Sequence, residues 1–173
     1  ESLPGTAIIE KPDFSETLME YAEVAFILSE RNGWSQAEYE AGIRASMEKW
    51  AVAEADIAAY LGAVPAASEE NVLTQKYIAL YMQGQAAWNE KRRTGYPMTL
   101  IPVDGEYSIQ DPSFADPQPE WYDKVFTSLV AEMTEIPYRM RYPQQEQTLN
   151  GDSRKVAADA LSNGDVIYSK LWW

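Results

Sequence analysis

Apolar residues recur along this chain every three or four positions, between short stretches rich in Gly, Pro, Ser and Asn. The clearest instance is Tyr39, Ile43, Met47 and Trp50, spaced four, four and three residues apart. Such spacing lines one side of a 3.6-residue helix and breaks the alternation that a half-buried strand requires. A chain built this way folds by stacking helices on one another.

The punctuation divides the chain into helices. The first is predicted over Ser15 to Arg31, capped by Asp13 or Ser15 and stopped by Asn32-Gly33. Ser35-x-x-Glu38 reads as a capping box that starts the second. Ala41, Gly42 and Ala45 beside its stripe suit the close approach of another helix, and the short link between the two predicts a helical hairpin. A third helix is expected from Ala53 to Leu61. After Pro65, a fourth is capped by Ser68 and runs from Glu69 through Met82, with a continuation to Arg93 before Gly95. Residues 97–119 hold five Pro and one Gly and read as a long irregular loop. Trp121, Val125, Leu129 and Met133 recur every four residues, which predicts a helix over about 120–134. An extended segment, Ile136 to Pro143, and a last helix, Asp152 to Leu161 capped by Asp152 or Ser153, complete the chain. The expected fold class is all-α: helical hairpins with a long irregular loop region, about six helices and no sheet. The apolar end Leu171-Trp172-Trp173 is expected to pack rather than fray.

Composition removes several chemistries. Among 173 residues there is no Cys and no His. A disulfide framework, a thiolate or imidazole metal site, a cysteine nucleophile and a Ser-His-Asp triad are therefore excluded. With 27 acidic against 14 basic residues the net charge is −13, which repels phosphate backbones, so nucleic acid is not an expected partner. No apolar run is long enough to span a bilayer, and no signal peptide precedes the first helix. Glu1 in place of Met suggests a processed end or an internal boundary.

Three stretches in order carry a family resemblance. The first is Tyr21-Ala22-Glu23-Val24-Ala25-Phe26-Ile27-Leu28-Ser29-Glu30, followed by Gly33-Trp34 and by Tyr39-Glu40-Ala41-Gly42-Ile43-Arg44. The second is Thr74-Gln75-Lys76-Tyr77-Ile78-Ala79-Leu80-Tyr81, running into Ala87-Trp88-Asn89-Glu90-Lys91-Arg92-Arg93-Thr94-Gly95-Tyr96-Pro97. The third is Ile136-Pro137-x-Arg139-x-Arg141-Tyr142-Pro143-x-x-Glu146, closed by Lys170-Leu171-Trp172-Trp173. Together they resemble the C-terminal part of the SusD-like (RagB/SusD) family of outer-membrane lipoproteins, over most of residues 15–173.

The resemblance implies tetratricopeptide-like hairpins and residues 1–173 as the C-terminal portion of a longer chain, with its lipidated cysteine upstream of Glu1. It implies a lipid-anchored protein on the outer-membrane surface that is not an enzyme. Such a protein captures oligosaccharide, or peptide, for import through a SusC-type TonB-dependent transporter. The partners implied are that transporter, the ligand and the upstream part of its own chain; no metal or organic cofactor is needed. A structural module contacting transporter or chain, with ligand bound elsewhere, is the alternative. The Pro- and Asp-rich insert from Ile101 to Glu120 matches no general family element.

Asp104, Asp111 and Asp116 are spaced seven and five apart, which misses the calcium-loop pattern, so they are expected on a solvated loop. Glu120 and Asp123 are an acidic pair among many, and a glycosidase reading is the weakest of those considered. In Arg92-Arg93-Thr94-Gly95-Tyr96, one Arg is expected to cap a helix end or pair with a carboxylate. Trp50 and Trp88 are expected in the core; Trp34 follows a turn Gly and is expected to be half-exposed, and the resemblance implies that it anchors the hairpin loop. Sugar C–H groups stack on aromatic faces. Tyr107, Trp121 and Tyr122, in or beside the loop, are the residues expected to touch ligand or transporter.

Overall fold

Small residues decide how the first two helices meet. The computed structural model describes residues 17–110, 121–128, 133 and 135–170, in two compact units that divide after Thr99. In the first unit, α1 (Tyr21–Arg31) and α2 (Gln36–Lys49) are joined by four residues. A Cβ added at Gly42 would stand 2.8 Å from the Phe26 ring, so only hydrogen leaves room for that ring. Phe26 and Tyr39 are both 0% exposed, with ring centroids 6.3 Å apart, and Ala22, Ile43, Val72 and Ala79 complete the core cluster.

The link between these helices is tight. Gly33 and Trp34 both take left-handed backbone, at φ 72° and 65°. The strain at Trp34 is offset by its amide bond to the Ser29 carbonyl (2.8 Å) and by packing of its ring on the core. The capping box at Ser35 forms differently from the expectation: Ser35 Oγ bonds the Glu38 carboxylate and no side chain caps the backbone. Helix α1 also starts later than expected, at Tyr21. Glu20 is extended (ψ 153°), and its carboxylate is drawn to Lys49 and Gln83 instead. The expected caps Asp13 and Ser15 lie outside the described residues.

Helix α3 (Glu54–Ala63) packs on α2, and α4 (Glu69–Ala79) lies against both α1 and α2. Ser68 caps α4 as expected, accepting from the Asn71 amide at 3.2 Å. The chain then departs from the expected continuous helix. It turns through Met82, at φ 68°, and starts α5 (Gly84–Thr94), which packs on α4. The turn brings Lys76 to within 3.0 Å of Glu90, both nearly sealed from solvent at 5% and 9% exposure. Arg93 then bridges Glu90 (2.7 Å) and Glu30 on α1 (2.7 Å). Three helices are thus clamped by one line of alternating charge. Gly95 ends α5 at φ 80°, and Lys91 Nζ donates to the carbonyls of Gly95 (2.5 Å) and Pro97 (2.8 Å).

In the second unit the sequence expectation fails at one element. Residues Trp121–Val125 form a strand, β2, antiparallel to β1 (Glu106–Gln110), where a helix over 120–134 and no sheet were expected. A spacing of four is an even number, so it satisfies the two-residue period of a strand as well as a helical turn. The aromatic and β-branched residues there favour the pleated surface. Gly105 admits the hairpin start, since a Cβ would lie 2.7 Å from the Pro102 ring. Helices α6 (Glu146–Leu149) and α7 (Gly151–Asp159) follow. Helix α7 begins after Asn150 with no side-chain cap, where Asp152 or Ser153 was expected. With seven helices among the described residues and one two-stranded sheet, the fold is all-α and tetratricopeptide-like.

Two substitutions test these contacts. Gly42→Ala adds a good helix former, worth about 1 kcal/mol by propensity alone, yet it is expected to lower stability by about 1–3 kcal/mol through overpacking against Phe26. Urea unfolding checks the sign, and Phe26→Leu on the same background is expected to recover part of the loss. Glu90 gives the second. Burial raises its pKa, but the hydrogen bond from Arg93 and the charge of Lys76 outweigh burial and hold it below its ordinary value of 4.5. A lowered folded value means stability that is present above the unfolded pKa and lost as pH falls through the folded one. Glu90→Gln is therefore expected to cost about 3–5 kcal/mol at about pH 7. In melts run at successively lower pH, the gap to the parent chain is expected to close; an unchanged gap would refute the linkage.

Candidate functional site

The residues singled out for ligand contact fall on the hairpin of the second unit. Tyr107 sits on β1, half-buried, directly opposite Lys124. Tyr122 pairs in register with Ile109, and Trp121 with Gln110. The backbone thus gathers all three onto one five-pair ribbon, although they are fourteen and fifteen residues apart in sequence. The side chains of Trp121 and Tyr122 lie outside the described residues. Ser108 Oγ bonds the Asp123 carboxylate across the strands, and the Asp104 amide donates to the Phe126 carbonyl (2.7 Å) at the open end. Val125 and Phe126 stay 50% and 44% exposed. By register, Tyr107 and Lys124 belong to one face of the ribbon and the Ser108–Asp123 pair to the other; on the first face a phenol ring beside a lysine can stack on and hydrogen-bond to a polar ligand.

Other candidates resolve on contact. Asp104 is described, and Asp111, Asp116 and Glu120 lie outside the described residues; among those described, no three metal-ligating side chains of His, Cys, Asp or Glu converge. Arg93 is the member of the basic cluster that pairs with carboxylates, so that stretch clamps helices. Trp34 is half-buried against the core, as expected of a hairpin anchor. Trp50, also expected in the core, is only half-buried and lies outside the core cluster, edge-on to Tyr81 with centroids 5.4 Å apart. Trp88 corrects the expectation of a core residue: it is 38% exposed on α5. Trp172 and Trp173 lie outside the described residues.

Sequence reasoning missed Asp165. Its carboxylate takes Arg139 (2.7 Å), Arg154 (2.5 Å) and the Tyr142 amide (3.0 Å). Burial raises its pKa, and the Arg139 and Tyr142 hydrogen bonds reverse this and hold it below the ordinary carboxylate value. The Arg139 guanidinium also lies 4.6 Å from the centre of the Tyr142 ring. The motif from Ile136 to Pro143 is therefore a knot tied on one acid from a distant turn. Only the left-handed Gly164 beside it marks the place in the sequence.

Two family models match the chain. One, described as "Starch-binding associating with outer membrane", matches residues 4–111; the other, described as "Susd and RagB outer membrane lipoprotein", matches residues 63–173. Among eleven solved chains that match is a chitin-binding protein, 23% identical, with a TM-score of 0.62 over 88% of this chain. That likeness is one of fold, and this chain spans 32% of the length of that protein. No curated protein matches. Each family model covers more than half of the chain, and the chain belongs to the SusD-like family.

Proposed function

We propose that this protein captures oligosaccharide at the cell surface without altering it, and that the captured sugar is imported through a SusC-type TonB-dependent transporter. The observation that carries this reading is membership of a family described as starch-binding and associated with the outer membrane. The chitin-binding fold neighbour adds a second polysaccharide binder of the same architecture. Among the described residues no helix is long and apolar enough to cross a membrane. The family description as an outer membrane lipoprotein supports attachment through a lipid on a cysteine of an upstream segment, with residues 1–173 the C-terminal portion of the whole. The hairpin offers the contact surface: Tyr107 stacks on a sugar ring, Tyr122 shares its face of the ribbon by register, and Trp121 belongs to the opposite face.

A specific observation favours a second reading, in which this part serves mainly as an interaction module. Ile78, Tyr81 and Met82 at the end of α4 are 54%, 52% and 46% exposed, and Trp88 on α5 is 38% exposed. Exposed apolar side chains at neighbouring positions mark protein contact surfaces. The transporter or the upstream chain is the partner that fits there, with glycan or peptide held elsewhere.

Calorimetric titration with malto- and chito-oligosaccharides separates the two. Saturable binding is expected, with no shortening of the oligosaccharide by mass spectrometry. Tyr107→Ala is expected to weaken binding roughly tenfold, the equivalent of one lost stacking contact of about 1.4 kcal/mol. Absence of sugar binding together with tight association to the upstream segment would establish the second reading instead.

A further inference from the structure

Helices α2, α3 and α4 of the first unit leave a groove between them, of about 280 Å3. Tyr60 enters its wall from α3, Val64 and Pro65 from the following link, and Asn71, Thr74 and Gln75 from α4. No lining residue carries a carboxylate, an amine or a guanidinium. In a chain with a net charge of −13, a neutral patch of this kind is a selective feature.

The hydrogen-bonding groups of the groove are half spent. Gln75 Nε2 donates to the Tyr60 phenol oxygen at 2.6 Å, which leaves the Tyr60 proton and Gln75 Oε1 without a partner among the described residues. Asn71 Nδ2 donates to the Ala66 carbonyl at 2.8 Å, which leaves Asn71 Oδ1. The Thr74 hydroxyl, which also lines the groove, bonds no protein group among the described residues. Tyr39 lines the groove too, and its buried phenol oxygen has no hydrogen-bond partner among the described residues. Burial, with Tyr60 nearby, pushes that phenol up to about 12, so it stays protonated. Donors and acceptors therefore lie together in a groove walled by Tyr60, a residue that is 39% exposed.

We propose that this groove is a binding subsite for one neutral sugar residue, separate from the Tyr107 hairpin. A sugar hydroxyl donates and accepts at the same atom, which suits neighbouring O–H donors and amide oxygens. Its C–H face suits the Tyr60 ring. Uronates and phosphates find no cation here. The volume falls just below the roughly 300–1,000 Å3 of pockets for drug-sized ligands, so the occupant is compact and not an extended peptide. The proposal rests on the glycan reading above and adds a site on the helical scaffold.

The test is a titration of the isotope-labelled 173-residue chain, read by amide chemical shifts. The probes are methyl glucoside, methyl N-acetylglucosaminide, glucuronate and a proline-rich peptide. The two neutral sugars are expected to give saturable shifts at Tyr60, Asn71, Thr74 and Gln75, and glucuronate none. Gln75→Ala and Thr74→Val are each expected to weaken binding by roughly fivefold, the scale of one hydrogen bond, with melting unchanged. Groove shifts from the peptide but not from the sugars would overturn the proposal, as would sugar shifts that survive both substitutions. If oligosaccharide still binds in a manner sensitive to Tyr107→Ala while the groove stays silent, the groove proposal falls and the capture reading stands. Silence at both places removes both.

Discussion

The ring of Phe26 occupies the space that any side chain at residue 42 would need. This single exclusion sets the distance between α1 and α2, and with it the geometry of everything stacked on them. A glycine inside a helix is unfavourable by roughly 1 kcal/mol relative to alanine, and that cost is offset by letting a whole aromatic ring sink to 0% exposure. Close-packed interiors do not deform continuously to admit another carbon. Once the pair is fixed, Val72 and Ala79 of α4 have a defined surface to close, and α4 in turn positions α5.

The charged line from Lys76 through Glu90 and Arg93 to Glu30 does a different job. Hydrophobic contact is non-directional and would tolerate α4 and α5 sliding past one another. A buried lysine has few places where its charge is matched, and a shift of one helical turn would leave it without Glu90. Such pairs contribute little net stability compared with apolar replacements, while breaking them is costly. The consequence is register: the turn through Met82 is held where the ion pair requires it.

These two devices explain what could be read from the sequence. Tyr39, Ile43 and Gly42 were legible because each acts through a periodic pattern or a local conformational rule, and so were the Ser68 cap and the Gly95 stop. The break between α4 and α5 was not, because Met82 is no conventional turn residue and the pair that rewards the turn joins positions fourteen residues apart. The strand at Trp121–Val125 was missed because a spacing of four fits either period. The Asp165 knot and the groove share one difficulty. Asp165, Tyr60 and Asn71 are unremarked polar residues in their own segments, Thr74 and Gln75 enter only as part of a family motif, and the meaning of all five arises only when separate segments converge. The aromatic candidates were chosen for residue type and for position near a loop, and the pairing of β1 with β2 is what places them on one ribbon.

The chemistry of the groove also bears on release. A protein that hands cargo onward must hold it weakly enough to let go, and differences in affinity among related complexes reside mostly in the dissociation rate. A charged ligand gripped by a buried cation would dissociate slowly. A neutral ligand held by a few exposed hydroxyl and amide groups exchanges easily with water. Weak contacts suffice only where the site is already in shape, because ordering flexible side chains on binding consumes affinity. Here the groove walls belong to α2, α3 and α4, and Lys76, the neighbour of Gln75 on α4, is itself locked to Glu90. Under the proposed sugar-binding role, the rigidity that sets the helical stack lets the neutral groove hold its ligand with modest strength and release it quickly.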